Sequence, residues 1–369
     1  MFHPLPLVSV VLMALTASPA KPTENPPLSV RLPLGVADAK NNIGYVPNDK
    51  DGVDAIDLTN GETLWQTKEA TRPLFVLEKS LVVWTQAKDK PHEIQVLLLD
   101  TTAKGKKVLQ SDAIVLPDWV GFGGNGHSFT AQAEAKSGEI VVTWQARAWY
   151  AGGAAPSPQM LKNSNKNAAG AARINVETGK VETVDGAKME GAISKLPEGL
   201  QKLKSHQYWT GSEWKTTPLI VGDVVASLEI EGSKDQQKAI LKLFDLASGK
   251  EKEPAKLLEG KALWPQASLD GRHLLIHQGL VKEQLPDGDF AFWIFELETG
   301  KQVGKVPFEQ TAGGVAVCGD HALFLVAQPK TAPKTLGKQG RWLKAINLIT
   351  GKTDWEHTVE SDVNLPPVP

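Results

Sequence analysis

An eleven-residue unit, AIDLTNGETLW at residues 55–65, recurs along this chain and restricts its fold more than any other feature. Taking the glycine of the unit as reference, five copies carry an apolar residue five positions earlier and a polar acceptor four positions earlier. The five glycines are Gly61, Gly179, Gly249, Gly300 and Gly351, and the matching acceptors are Asp57, Asn175, Asp245, Glu296 and Asn347. A sixth, looser copy at 98–108 places Asp100 five residues before Gly105.

The unit has the chemistry of a β-hairpin. Apolar residues two positions apart lie on one face of a strand, as in a half-buried sheet. A short Asx or Ser/Thr side chain can bond the backbone of the turn that follows, and glycine supplies the positive φ that ends it. Each copy therefore predicts a strand, a tight turn and a second strand.

The spacing of the glycines predicts an all-β fold built from repeated sheets. Successive glycines are 44, 74, 70, 51 and 51 residues apart, and a four-stranded propeller blade takes about 40–50 residues. We expect a β-propeller of six blades, or seven if the two long intervals hide a weak blade rather than insertions. Residues 29–36 are expected to pair with the last strand of the chain, because closing the ring removes exposed edges.

The charge pattern argues against nucleic acid as a partner. The net charge is −2, and arginine occurs only at positions 31, 72, 147, 173, 272 and 341. No dense basic field for nucleic acid or an anionic membrane is therefore present in the sequence.

The first twenty residues have the pattern of an export signal. An apolar core spans 7–15, and Ser18 and Ala20 stand three and one positions before a plausible cleavage site. A plain hydrophobic tail is the alternative, since no Lys or Arg precedes the core. We expect a signal peptide at 1–20, a linker at 21–28, the propeller at 29–359 and a tail at 360–369. The expected location is periplasmic or extracellular. No later run is apolar over the ~20 residues that a transmembrane helix needs, so we expect no transmembrane segment.

Residue types that often carry chemistry are few or badly spaced for it. Cys318 is the single cysteine and lies in an apolar run, which favours a buried structural role. His273 and His277 are four apart, but in a strand that spacing is about 13 Å, too far to share a metal ion. Asn48 to Asp54 (NDKDGVD) is predicted to be a hairpin turn rather than a calcium loop. We therefore predict no catalytic residue and no metal site.

The best candidate for ligand contact precedes a low-complexity segment. Residues 151–171 are rich in Ala, Gly, Asn and Ser and are expected to form a mobile surface loop. A strand ending in Arg147, Trp149 and Tyr150 leads into it, so these three are the predicted binding residues. The alternative is that Trp149 belongs to an ordinary propeller core. Further on, the spacing of Leu200 and Leu203 predicts a short amphipathic helix within 196–209.

The repeated unit, together with AINLITGKTDW at 345–355, resembles the blade signature of the quinoprotein-like propeller family. That signature reads roughly aliphatic-Asp-Leu-x-x-Gly-Lys-x-x-Trp, and the resemblance covers about residues 41–359. Only Trp65 and Trp355 occupy its terminal tryptophan position.

The resemblance implies one of two kinds of activity. Some members of this family oxidise alcohols or sugars with pyrroloquinoline quinone (PQQ) and calcium, whereas others, such as the bacterial outer-membrane assembly lipoprotein, hold partners. The alcohol-oxidising members have an adjacent cysteine pair that a chain with one cysteine cannot form. Six scattered arginines also make a clamp for a tricarboxylate hard to assemble.

We accordingly predict a monomeric, exported, non-catalytic binding or scaffold protein without a cofactor, whose partner is a protein or a small molecule. A PQQ-dependent dehydrogenase is the alternative. A lyase or glycosidase with acids gathered at one mouth of the channel is a third class.

Overall fold

The chain is described from a computed structural model. It covers residues 29–48, 52–86, 90, 92–120, 127–136, 138–148, 158, 162, 166–184, 200, 203, 207–210, 213–216, 218–233, 235–279, 290–309, 314–327 and 341–359. Strands dominate these residues and form six separate sheets.

The first three sheets follow one another along the chain. Sheet one contains β1 (Ser29–Leu32), β2 (Gly35–Asp38), β3 (Ile43–Pro47), β4 (Val53–Asp57) and β5 (Thr63–Thr67). Sheet two contains β6 (Arg72–Leu77), β7 (Ser80–Gln86), β8 (Glu93–Asp100), β9 (Lys106–Gln110) and β10 (Ile114–Val115). Sheet three contains β11 (His127–Lys136), β12 (Glu139–Ala148), β13 (Lys166–Asn175) and β14 (Val181–Val184).

The last three sheets include one departure from chain order. A hairpin, β15 (Gln207–Thr210) and β16 (Glu213–Thr216), precedes sheet four but joins sheet five. Sheet four contains β17 (Leu219–Val221), β18 (Val224–Ser233), β19 (Gln236–Asp245) and β20 (Ala255–Gly260). Sheet five continues with β21 (Leu263–Ala267), β22 (His273–Gln278), β23 (Ala291–Glu296) and β24 (Gln302–Pro307). Sheet six contains β25 (Val315–Cys318), β26 (His321–Ala327), β27 (Arg341–Asn347) and β28 (Thr353–Val359).

Each sheet is built on four consecutive antiparallel strands, which is the arrangement of a six-bladed β-propeller. The predicted all-β class and six-blade count agree with this topology. The added hairpin is unusual, because β15 runs parallel to β21, with Trp209 opposite Gln266. It lies where the sequence predicts the end of a helix. Leu200 and Leu203 close one turn and pack against Val225 and Phe244 of sheet four. The other residues of the predicted helix before Gln207 lie outside the described residues.

The repeated glycines end tight turns, as the sequence predicts. All six have positive φ, from 66° at Gly249 and Gly351 to 77° at Gly61. Their amides bond back to the acceptor residue of the unit, for example Gly61 N to the carbonyl of Asp57 at 2.7 Å. Four of these hairpins shift register one or two residues before the acceptor, which is the bulge that such a turn produces.

Neighbouring sheets contact each other through these turns. A Cβ on Gly105 would meet the indole of Trp65 in sheet one, and a Cβ on Gly300 would meet Ala255 in sheet four. In the same way, a Cβ on Gly61 would meet Trp355 in sheet six. The contact between the last and first sheets is therefore the same as the contact between sheets one and two.

The expected pairing of the first strand with the last is wrong. β1 pairs with β2, with Ser29 opposite Asp38, and no described strand of sheet one is hydrogen-bonded to sheet six. Side chains join the two sheets instead. Buried residues of both form a single apolar cluster that includes Val30, Leu58, Leu325 and Trp355.

The expected surface loop at 151–171 is also wrong for its last part. Residues 166–171 form the start of β13 and pair with β12, from Lys166 opposite Ala148 to Ala171 opposite Thr143. Small side chains make this possible, because a Cβ on Gly170 would lie 2.4 Å from the ring of Trp144. The low apolar content therefore serves close packing against a tryptophan rather than disorder.

Candidate functional site

The connections of the sheets fall into two groups. Links from the first to the second strand and from the third to the fourth share one end of each sheet, which we call the turn end; it carries the six glycine turns. Links from the second to the third strand share the other end, which we call the loop end. Because the turns at Gly61, Gly105 and Gly300 contact the starts of the preceding fourth strands, the turn ends of those neighbouring sheets face one side.

Long connections occur at the loop end. Seventeen residues separate Ala148 from Lys166, twelve separate Gln278 from Ala291, and thirteen separate Ala327 from Arg341. In contrast, five residues separate Asp57 from Thr63 at the turn end. Variable connections on a rigid scaffold are where binding residues usually lie.

The predicted binding residues are at the loop end of sheet three. Arg147 is exposed near the end of β12, between Ser128 of β11 and Asn167 of β13 in register. Trp149 and Tyr150 lie outside the described residues. The topology therefore puts Arg147 on the side with the long connections, whereas the other two positions stay predictions.

The repeated acceptors are occupied by their own turns. Asp57 Oδ1 accepts hydrogen bonds from the amide and hydroxyl of Thr59, at 2.8 and 2.6 Å. Asp245 Oδ1 accepts the same pair from Ser248, at 2.7 Å each. These bonds hold the pKa of Asp245 below its usual value, the Ser248 hydroxyl contributing most. The acids of the unit thus act as turn caps.

His273 joins sheet five to sheet six through a buried carboxylate. Its Nδ1 lies 3.0 Å from Asp270 Oδ1, while Asp270 Oδ2 accepts a 2.8 Å bond from the Val317 amide. Burial would raise the pKa of Asp270, but the hydrogen bond and charge of His273 and the amides of Val317 and Arg272 outweigh it and hold the pKa below its usual value.

A serine near this pair does not form a catalytic triad. Ser268 Oγ donates to the backbone carbonyl of His273 and accepts from its amide, at 2.9 and 3.0 Å. The hydroxyl therefore bonds the main chain of the histidine. A serine nucleophile would have to bond the imidazole ring instead.

Cys318 lies half-buried beside the same carboxylate. Burial and then the charge of Asp270 raise the pKa of its thiol to about 12. Since the thiolate is the reactive form, this cysteine is unsuited to act as a nucleophile, which agrees with its expected structural role.

A second histidine joins the last sheet to the first. His357 Nε2 lies 3.2 Å from Asp54 Oδ2, and Asp54 Oδ1 accepts a 2.6 Å bond from Asn48 Nδ2. Asn48 also exchanges bonds with Gly52, at 2.9 and 3.0 Å, which closes the β3–β4 hairpin. The turn prediction for NDKDGVD is confirmed at these residues.

Within the described ranges, no group of three or more His, Cys, Asp or Glu side chains is placed to hold a metal ion. His273 and His277 lie in β22, as their strand-like pattern predicts.

The sequence analysis missed an aromatic group at the loop end of sheets five and six. The ring of Phe308 lies 4.3 Å from Phe290, 4.8 Å from His277 and 4.9 Å from Phe292, centroid to centroid. Phe292 also contacts Phe324 of sheet six at 5.8 Å. We call these five residues, with Trp342 packed against the same core, the loop-end aromatic cluster.

A signal for part of this cluster was present in the repeat. The hairpin of β23 and β24 pairs Ala291 with Pro307, so the next pair outward is Phe290 and Phe308. The Gly300 turn fixes that register, and counting outward from it would have placed the two phenylalanines together. The contribution of sheet six could not be found in this way.

Comparisons with known proteins provide no family assignment. No protein-family model and no curated protein matches the chain. Solved structures similar to it include the computationally designed protein Ika8, with 11% identity, a TM-score of 0.31 and coverage of 88% of this chain and 86% of that one. BamB from Moraxella catarrhalis has 12% identity, a TM-score of 0.28 and coverage of 89% and 84%. TolB from Acinetobacter baumannii has 11% identity, a TM-score of 0.31, and coverage of 89% of this chain and 66% of that one.

These alignments are too weak to carry an argument about function. The class of the protein follows from its own strands: six antiparallel sheets in the arrangement of a β-propeller. Across the described parts of the chain, no helix has the length and apolar character to cross a membrane.

Proposed function

We propose that this chain is a non-catalytic binding or scaffold propeller whose partner, a protein or a small molecule, docks at the loop end. The long connections at that end are the observation that carries the proposal. The acids of the turns and the two histidine–aspartate pairs, His273 with Asp270 and His357 with Asp54, support it, because their polar groups bond turns or join sheets.

Arg147, Trp149 and Tyr150 are the residues we propose for partner contact. Arg147 is exposed at the point where β12 runs into the seventeen-residue connection. A segment with one arginine and two aromatic residues has the composition of a binding hot spot, since Trp, Tyr and Arg dominate the energy of protein interfaces.

The test compares two arginines of the same sheet. Arg173, on β13, is also exposed, but it lies nearer the turn end, opposite Val141 and Glu182. Proteins captured from the cell envelope are quantified for the wild type, Arg147→Ala, Trp149→Ala and Arg173→Ala. Each candidate is then purified and its Kd is measured by calorimetry.

A real partner loses at least about tenfold in affinity, or about 1.4 kcal/mol, with Arg147→Ala or Trp149→Ala and keeps its affinity with Arg173→Ala. Replacing residues 151–165 by a short Gly/Ser linker tests the connection while β12 and β13 stay intact. If every partner binds all variants equally, the proposed site is wrong.

Export and a monomeric state are part of the same proposal. The apolar core at 7–15 and the small residues Ser18 and Ala20 support cleavage after residue 20. Mass spectrometry of the protein recovered from its native cells would show a mature N-terminus at Lys21. A retained Met1 in the cytoplasm would contradict export, and light scattering would decide the oligomeric state.

A further inference from the structure

Among the residues that the structure describes, two buried ring atoms at the loop end of sheets five and six have no hydrogen-bond partner. They are Nδ1 of His277 and Nε1 of Trp342. Buried polar atoms in folded proteins are nearly always paired, so each exception requires an explanation. The indole Nε1–H can only donate, and therefore the group that would satisfy Trp342 is an acceptor.

The surroundings of these atoms are aromatic. Phe308 contacts His277, Phe290 and Phe292 with centroid distances below 5 Å. Phe308 and Trp342 are both half-buried against the core that contains Phe292 and Phe324. Ring faces and edges of this kind favour stacking with another aromatic group.

A lysine and a glutamate beside the cluster form an ion pair. Lys344, two residues after Trp342, donates a 2.6 Å hydrogen bond to Glu309, the residue after Phe308. Burial lowers the pKa of His277 to about 4, so its imidazole is neutral at physiological pH. A charged ligand would lose its hydration here, and these two charges already pair with each other, which favours a neutral ligand.

We propose that the loop-end aromatic cluster binds a neutral aromatic molecule that presents a hydrogen-bond acceptor, such as a carbonyl oxygen, to Nε1 of Trp342. This inference rests on the proposed binding function and names a ligand class for sheets five and six. Arg147 belongs to sheet three, so the two sites can be tested separately.

The experiment compares two probes that differ in the acceptor. Acetophenone carries a ring and a carbonyl oxygen, whereas ethylbenzene has a similar shape without the oxygen. The full chain, labelled with ¹⁵N-tryptophan, is titrated with each, and the Nε1–H resonance missing from Trp342→Phe identifies Trp342. Acetophenone shifts this resonance saturably, and ethylbenzene shifts it less.

Affinities from equilibrium dialysis then test the residues. Trp342→Phe keeps a ring and removes the donor, so it weakens acetophenone binding about tenfold, the change that 1.4 kcal/mol produces, and leaves ethylbenzene unchanged. Phe308→Leu weakens both probes. Trp119→Phe is the control, because this half-buried indole packs against the core of sheets two and three, away from the cluster, and its Nε1 is not among the buried unpaired atoms; it leaves both affinities unchanged.

The inference is overturned if acetophenone fails to shift the Trp342 resonance, or if both probes bind equally well to the wild type and to Trp342→Phe. Near-UV circular dichroism of each variant shows that a lost affinity is not a lost fold. If the wild type does not bind acetophenone, while the affinity of a partner still depends on Arg147, only the site on sheets five and six is refuted. If the wild type binds acetophenone as expected, but no partner depends on Arg147, only the site on sheet three is refuted.

Discussion

The indole of Trp355 in sheet six lies against Gly61 in sheet one and donates a 3.0 Å hydrogen bond from Nε1 to the carbonyl of Leu58, 297 residues earlier in the chain. Trp65 lies against Gly105 in the same manner. The tryptophan of one repeat therefore covers the glycine turn of the next, and at the last repeat the next one is the first.

Trp355→Ala is expected to destabilise the protein by roughly 3–5 kcal/mol, because it removes a buried ring from the contact between the last and first sheets. Trp355→Phe keeps most of the ring and loses the hydrogen bond to Leu58, a net change of about 1 kcal/mol. Urea unfolding curves measure both. A loss near zero for the alanine variant would mean that the two sheets do not depend on this contact.

Gly61→Ala is expected to cost more than Gly138→Ala. Both glycines have positive φ, 77° and 80°, so alanine is strained at either position by roughly 1–2 kcal/mol. A Cβ at Gly61 would also lie 2.8 Å from the Trp355 ring, whereas a Cβ at Gly138 has nothing within 4 Å. Comparing their unfolding midpoints isolates the tryptophan contact from backbone strain. Equal losses would contradict the contact.

His277 should make the protein less stable in mild acid. Burial lowers its folded pKa from 6.5 to about 4, so between these values the unfolded chain binds a proton that the folded chain does not. Stability from this group is complete above pH 6.5 and is lost as pH falls towards 4, by on the order of 2 kcal/mol at pH 5.

His277→Phe tests that dependence, because phenylalanine fits the aromatic neighbours and does not titrate. The variant should show a smaller fall in urea midpoint from pH 7.5 to pH 5 than the wild type. Parallel pH profiles for the wild type and His277→Phe would show that His277 stays solvated.

The enzymatic alternative has a direct measurement. A PQQ-dependent dehydrogenase would bind PQQ with calcium, change its absorbance and oxidise an alcohol or a sugar with a dye acceptor. For this chain we expect neither a change in PQQ absorbance nor reduction of the dye. Dye reduction that requires PQQ, calcium and the wild-type protein would replace the scaffold proposal with the alternative.

Much of the local architecture is predictable from the sequence because it depends on neighbouring residues. Asp57 bonds Thr59 two residues later, and Gly61 adopts a positive φ that glycine tolerates without strain. The same logic gives the turns at Gly179, Gly249, Gly300 and Gly351. Six hairpins and their strand type therefore follow from a short pattern repeated along the chain.

The same local logic fails where distant segments meet. Residues 166–171 read as a loop because they are small and polar, yet they form a strand because Gly170 and its neighbours accept the face of Trp144. Of the predicted binding residues, Arg147 is exposed at the loop end and its role in binding stays a prediction, while the sequence analysis missed the aromatic cluster.

The sequence by itself determined the glycine turns, the hairpin strands that flank them and the all-β class, because hydrogen bonds two to five residues apart decide them. Only the tertiary structure decided how the last sheet meets the first, where β15 and β16 are added, and which rings surround His277. Those contacts join residues tens to hundreds of positions apart, such as Phe292 and Phe324 or Leu58 and Trp355. Their energy comes from packing between sheets, which no local pattern encodes.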